Sequence, residues 1–357
     1  MGQTLVIAEK PSVAGDIARA LGGFKKDGDF WVSDAMIVGS AVGHLLEIKA
    51  PEEYDVKRGR WSFANLPVLP PHFDLQPIKK SIKKFEGLEK KIRSRSVTDI
   101  INACDAGREG ELIFRYIIQA TGTKKPIRRL WLQSMTKASI QKAFTALRSD
   151  AEMKPLEAAA RSRSEADWLV GINGTRALTA FNSKDGGFFL TTVGRVQTPT
   201  LAIVVAREEE ITHFKPQNYW EVHTTFGAQA GDYDSVWVDA DFKKTKGQSA
   251  ELKPERLWTA AEAQAIVAKC QGKLGIVTDH KRRATSAPPA LFDLTSLQRE
   301  ANGRFGFPAK MTLAILQRLY ERHKVLTYPR TDSRALPEDY PETMKETLSH
   351  LQKLEAY

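Results

Sequence analysis

One stretch near the carboxyl end, Leu326-Thr327-Tyr328-Pro329-Arg330-Thr331-Asp332-Ser333, sets a phenol and a guanidinium two residues apart across a proline. Pro329 forbids a continuing helix and biases Thr327 and Tyr328 to extended geometry, so alternation sends Tyr328 and Arg330 to the same side. Such a pair suits a phosphodiester, because Arg330 can hold the phosphate through paired N–H donors. A fixed cation beside Tyr328 predicts more phenolate than the roughly one molecule in a thousand set at neutral pH by a phenol pKa near 10. The same spacing also suits a Tyr packed in a core and an Arg in a surface ion pair. Two acidic turns carry the other candidate groups. Glu9, Asp105 and Glu109 are hard oxygen donors suited to Mg2+, which takes one or two carboxylates and keeps several waters; salt bridges with Lys10 and Arg108 are the alternative. There is no G-x-x-x-x-G-K-[ST], no G-x-S-x-G and no H-E-x-x-H, so neither a P-loop ATPase nor a motif-bearing hydrolase is supported.

The elements that must position these groups are legible in the pattern. Thr4 to Ala8 is a short β-rich apolar run, Glu9-Lys10-Pro11-Ser12 breaks it, and Val13 to Leu21 takes helical spacing, stopped by Gly22-Gly23. The arrangement returns with Asp99 to Ala103 as a buried strand, Asp105 to Gly110 as its turn and Glu111 to Gln119 as a helix. Both turns put carboxylates at the carboxyl end of a strand, the ligand-binding edge of an open parallel sheet, so Glu9 and Asp105 converge if their strands are neighbours. A further strand at Ile127 to Leu132 and a helix at Thr136 to Leu147 complete an α/β domain of about 150 residues.

Ile78, Ile82, Phe85, Leu88 and Ile92 recur at helical spacing, while Lys79, Lys80, Lys83, Lys84, Lys90, Lys91 and Arg93 fill the other faces. That is an amphipathic helix whose basic side is either a solvated face or one that tracks phosphates. Lys154 to Glu210 reads as helical with inserted glycines, Tyr219 to Val238 as strands around a polar loop at Gly227 to Asp234, Lys281 to Pro289 as a basic linker, and Phe292 to Leu326 as helical again.

Composition bounds the rest. The 357 residues carry 53 Lys+Arg against 43 Asp+Glu, a formal charge of +10, and are 42% hydrophobic, so the chain can build more than one core and a polyanion is the first partner to consider. Cys104 and Cys270 are the only cysteines, which excludes a disulfide framework and a four-Cys zinc ribbon and fits a reducing, cytoplasmic setting. No apolar run approaches the roughly 20 residues that span a bilayer, so no membrane association is expected.

Taken together, Leu5 to Ser12, Val42-Gly43-His44-Leu45-Leu46-Glu47, Asp105-Ala106-Gly107-Arg108-Glu109-Gly110-Glu111, Ala166 to Gly171, Gly194 to Leu201 and Thr327 to Ser333 resemble the boxes of type IA DNA topoisomerases, closest to the topoisomerase III subgroup, in the family's order. The resemblance implies an α/β Toprim domain (1–152), then a helical DNA-groove domain (153–216), a β-rich gate or hinge domain (217–280) and a helical domain carrying the nucleophile (281–357), parts of a toroid closing around DNA. Tyr328 matches the nucleophile that joins a 5′ phosphate, and Arg330 the residue that stabilises that phosphate. Glu9 matches the catalytic glutamate and Lys10 a phosphate-neutralising lysine. Mg2+ would sit on Glu9 and Asp105 with Glu109 near. Trp61, Arg163, Arg176, Val193, Gly194, Arg195, Val196, Gln197 and Arg330 fall where the family binds single-stranded DNA. His44 and His323 are expected to be structural, and Trp168 to lie in a core. The implied activity is ATP-independent breakage, passage and rejoining of single-stranded regions of negatively supercoiled DNA; the residues specify no helicase partner.

Two features depart from the family pattern. Gly107 stands where a second Asp of the acidic turn is usual, which predicts weaker metal binding. The chain stops at Tyr357, 29 residues after Tyr328, where family members continue, so an incomplete toroid is expected. A DNA-binding fragment without full activity, or another Toprim nuclease or primase, are the alternatives.

Overall fold

The computed structural model describes residues 2–53, 61–132, 134–243, 252–323, 325–338 and 340–353. The chain forms two compact units, Met1–Pro199 with Pro289–Tyr357, and Thr200–Pro288. In chain order the elements are β1 (Gln3–Ala8), α1 (Pro11–Leu21), β2 (Lys25–Asp27), β3 (Phe30–Val32), β4 (Met36–Ser40), β5 (Leu46–Ile48), β6 (Leu75–Pro77), α2 (Ile82–Arg93), β7 (Val97–Ala103), α3 (Arg108–Thr121), β8 (Ile127–Arg129), α4 (Lys137–Thr145), β9 (Arg148–Ser149), α5 (Asp150–Asn182), α6 (Gln197–Thr212), β10 (His223–Ala228), β11 (Gly231–Val236), α7 (Ala260–Cys270), α8 (Leu294–Phe305), α9 (Ala309–Arg318) and α10 (Pro341–Leu351).

The first unit is organised by a seven-stranded sheet of order β2-β3-β4-β1-β7-β8-β9. β4, β1, β7 and β8 run parallel, and the β1–β7 register sets Ala8 opposite Ala103. The central strands are apolar on both faces because both faces are covered. Leu5, Ile7 and Ile100 pack with Phe85, Leu88 and Ile92 of α2 and Ile113, Phe114 and Ile117 of α3. Val6, Ala8 and Ile101 point the other way, to Val13, Ala14 and Ile17 of α1 and Ile140 of α4. Two-residue alternation in the strands thus divides one apolar run between two cores.

Element boundaries correct three expectations. α1 starts at Pro11, whose missing N–H is no loss in a first turn, so the acidic turn after β1 is only Glu9-Lys10. α3 starts at Arg108, which puts Glu109 inside a helix rather than in the loop. Phe292 to Leu326 is not one helical run. Gly306, at φ +67°, closes α8 in the left-handed region that glycine alone enters without strain, and Pro308 precedes α9. A π-helical turn over Leu319–His323 then leads toward Tyr328.

In the second unit β10 and β11 form an antiparallel hairpin turning at Gln229-Ala230, so most of the expected Gly227 to Asp234 loop is strand. The cause is cross-strand pairing: Phe226 stacks on Tyr233 at 5.4 Å, and the Thr225 hydroxyl donates to Asp234. Among the described residues no helix is long and apolar enough to cross a membrane.

Candidate active site

Because β1 and β7 are parallel neighbours, their carboxyl ends bring Glu9 and Asp105 together, as the pattern of the two turns anticipates. The Asp105 backbone N–H donates to Glu9 Oε2 at 3.4 Å. Glu9 is buried, and burial first, then the Asp105 charge, raises its pKa above the ordinary carboxylate value. Burial likewise raises that of Asp105, opposed by Lys10, by a hydrogen bond from Tyr328 and by Arg129. The backbone around Glu9 is strained: Val42 adopts φ +59°, and the next residue, Gly43, donates its N–H to the Glu9 carbonyl at 3.1 Å.

A buried carboxylate whose proton affinity is raised by a half-buried neighbour is a donor pair suited to a small hard cation, which would relieve the repulsion on Glu9. Glu109 is close enough for its charge to raise the Glu9 pKa, yet its side chain is exposed and bonded to His44 Nε2 at 2.7 Å. Among the described residues no group of three or more His, Cys, Asp or Glu is gathered as a metal cluster. Gly107 sits at the N-cap of α3 in extended geometry, with nothing within 4 Å of where a Cβ would stand.

A buried guanidinium that sequence reasoning missed supports the acidic turn. Arg129, 1% exposed, donates through Nη1 to the Asn102 carbonyl, the Asn102 Oδ1 and the Cys104 carbonyl, and through Nη2 to the Asp105 carbonyl, at 2.7 to 3.1 Å. Glu111, fully buried, bonds Arg115 at 2.7 Å and Asn102 at 3.0 Å and lies 3.6 Å from Arg129 Nε. The available signal was a strand, Ile127-Arg128-Arg129-Leu130, carrying an arginine where a residue facing the covered side belongs.

Tyr328 reaches this pocket from the far end of the chain, within the same unit. Its hydroxyl hydrogen-bonds Asp105, Lys10 Nζ lies 5.6 Å from its ring centroid, and Tyr320 packs edge-on at 5.6 Å. The Leu294 N–H donates to the Thr331 carbonyl and Arg334 pairs with Asp293 at 2.9 Å, tying the segment to the start of α8. Arg330 is exposed and its charge acts on Tyr328. The expected enrichment in phenolate is overturned. Burial, then Asp105 and Glu9, push the Tyr328 pKa up to about 12, and the opposing pull of Arg330 is smaller.

The remaining predicted residues make contacts away from the Tyr328 pocket or at its edge. Arg176 is buried, ion-paired with Glu52, and stacked 5.4 Å from the Trp61 ring, which meets Phe188 edge-on at 5.6 Å. Arg163 and Arg195 share Asp167, at 3.8 and 2.8 Å. Val193 exchanges backbone hydrogen bonds with the Thr175 hydroxyl, and it lies so near α5 that a Cβ on Gly174 would come within 2.7 Å of it. Gly194 leaves equally little room beside Gln197, and Val196 and Gln197 are exposed. Trp168 is half-buried rather than core; its indole N–H donates to the Lys49 carbonyl at 3.2 Å, because a buried indole needs a partner. His44, expected to be structural, hydrogen-bonds Glu109 through Nε2 at 2.7 Å.

The sequence around this sheet edge falls within two known families. The Toprim domain matches residues 4–135 and the DNA topoisomerase family residues 151–357. The chain belongs to the DNA topoisomerase family, type IA. Among individual proteins it is similar to DNA topoisomerase 3 of Bacillus licheniformis, 42% identical over 354 residues covering 99% of this chain and 46% of that protein. DNA topoisomerase 3 of Bacillus subtilis is 41% identical over the same shares. The chain therefore spans a little under half the length of these curated relatives. Its fold is similar to that of full-length topoisomerase I from Thermotoga maritima, with a TM-score of 0.61 at 23% identity over 97% of this chain and 52% of that one.

Proposed function

We propose that this chain carries the cleavage centre of an ATP-independent DNA topoisomerase, which breaks one strand through a 5′-phosphotyrosyl link at Tyr328 and rejoins it. The observation that carries the reading is the hydrogen bond between the Tyr328 hydroxyl and Asp105, beside Glu9 and under Lys10, made by residues more than two hundred positions apart in sequence. A purely structural tyrosine would have no reason to meet two carboxylates and a lysine at the open edge of a parallel sheet.

The chemistry follows from the groups in place. Tyr328 starts protonated, and its bond to Asp105 marks the path by which the proton leaves as the oxygen attacks phosphorus. The departing 3′ oxygen takes a proton from Glu9, whose raised pKa keeps that proton available nearer neutrality than an ordinary glutamic acid would. Lys10 and Arg330 offset the charge gathering on the phosphate. The phosphotyrosyl ester retains the energy of the broken bond, so the 3′ hydroxyl can attack back with the same groups in reversed roles. In their ionised forms Glu9 and Asp105 would hold Mg2+, with Glu109 near, so Glu9 donates its proton only while it is not a ligand; bound there, the ion would supply charge neutralisation for the DNA phosphates. Arg163, Arg176, Arg195, Gln197 and Trp61, with the Val193-Gly194 and Val196 backbone, would line the path of the single strand.

The test uses a labelled single-stranded oligonucleotide incubated with the chain and Mg2+, then denatured. A covalent adduct that disappears in Tyr328→Phe is expected. Free cut ends without adduct, or an adduct that survives the substitution, would refute the assignment.

A further inference from the structure

The basic face of α2 has no part in the chemistry above. α2 buries Phe85, Leu88 and Ile92 against the sheet, which leaves Lys79 and Lys80 of the preceding turn, with Lys83 and Lys90, exposed and without an ion pair to any described residue. Beside them Lys84, paired with Asp29 at 3.1 Å, and Lys91 lie 5.9 and 5.2 Å from the Phe30 ring centroid, so their charges are fixed at the flank of the same face.

At its amino-terminal end this placement works against the helix, whereas Lys90 and Lys91 in the last turn complement the dipole. The first turn of α2 has no acidic residue, and lysines there oppose the helix dipole. Lys79 and Lys80 stand in the turn just before α2, so their charges add to those of Lys83 and Lys84 at the positive end of the helix. Gly87 sits between Lys83 and Lys90 with open space around the position of a Cβ, so no packing contact demands glycine there, and the backbone is bare where a ligand would approach. The strip also starts at the catalytic edge. The Ile78 N–H donates to the Leu45 carbonyl, and Leu45 follows His44, the partner of Glu109.

We infer that this face binds the phosphate backbone of double-stranded DNA next to the strand being cut, an inference that rests on the proposed DNA-cleaving role. Eleven residues of helical rise place Lys79 and Lys90 about 17 Å apart, half a turn of B-form duplex. Exposed positions of α2 offer no aromatic ring for stacking bases, which single-strand surfaces use and a duplex does not need.

The test compares the parent chain with a Lys79→Gln, Lys80→Gln, Lys83→Gln, Lys90→Gln variant, using fluorescence anisotropy on a labelled duplex across a salt series. Each phosphate contact contributes about 0.9 to the slope of log affinity against log salt. The variant is expected to flatten that slope by about 3 to 4, while its Tyr328 adduct yield on a single-stranded oligonucleotide stays at the parent level and its Tm holds or rises. A duplex slope within about 1 of the parent's overturns the inference, as does an equal loss on the single strand. Failure of the parent chain to form any Tyr328-dependent adduct would instead count against the cleavage reading, and the duplex slope would still decide the strip.

Discussion

Replacing Arg129 offers the sharpest measure of how the acidic turn is held. Arg129→Met keeps the packing volume near that of the original stem and removes the guanidinium. The Cys104 carbonyl then loses its donor, while the Asn102 and Asp105 carbonyls each keep one backbone donor, the N–H of Leu130 and of Gly107, and Glu111, 0% exposed, loses one of its two neighbouring cations. A buried acceptor left without a partner costs about 1–3 kcal/mol, and removing one member of a buried charge pair about 3–5 kcal/mol. These overlap because one group makes all the contacts, so the expected loss is about 3–5 kcal/mol rather than their sum. That is a large share of the roughly 5–15 kcal/mol that holds a domain folded. Arg129→Lys keeps the charge but not the planar fork and should fall at about 1–3 kcal/mol. Urea unfolding followed by tryptophan emission is the assay, read as the change between each variant and the parent, whose seven tryptophans include Trp131, stacked on Arg129 at 5.1 Å and on Arg148 at 4.3 Å. A loss below about 1 kcal/mol for Arg129→Met would show that desolvation of the guanidinium already cancels its bonds, and the clamp argument would fail.

Two other outcomes follow from the same pocket. Gly107→Asp should be accepted, because its backbone is extended and the Cβ position is open, and the new carboxylate at the N-cap of α3 should lower the Mg2+ concentration giving half-maximal adduct; an unchanged or higher midpoint would contradict the donor assignment. In metal-free buffer Glu9→Gln should raise Tm at pH 7. The folded pKa of Glu9 lies above its unfolded value, so the favourable protonated state is fully present below pH 4.5 and is lost as pH rises through the folded pKa; the gain from Gln should shrink toward zero below pH 4.5, and a gain independent of pH would exclude the titration as its cause.

Local physics wrote much of this protein plainly into its residues. A β-rich run broken by a charged turn and followed by helical spacing needs no distant partner to be recognised, and so the strands ending at Ala8 and Ala103, their helices, and the acidic residues between them could be read directly. The ordered boxes likewise pointed to the family. Other features depended on what lies nearby in space. That β1 and β7 are neighbours decides that Glu9 meets Asp105, and the packing of the Tyr328 segment against α8 decides that a phenol meets both. The direction of the Tyr328 pKa was misjudged from sequence for this reason: the adjacent cation is visible in the chain order, whereas burial and two carboxylates from the opposite end of the molecule are not. Arg129 is a further case, since a guanidinium in a short strand looks like surface until the fold surrounds it with backbone carbonyls. Sequence spacing determines conformation over a few residues, but desolvation and Coulomb interactions depend on distance through space, which only the folded chain sets.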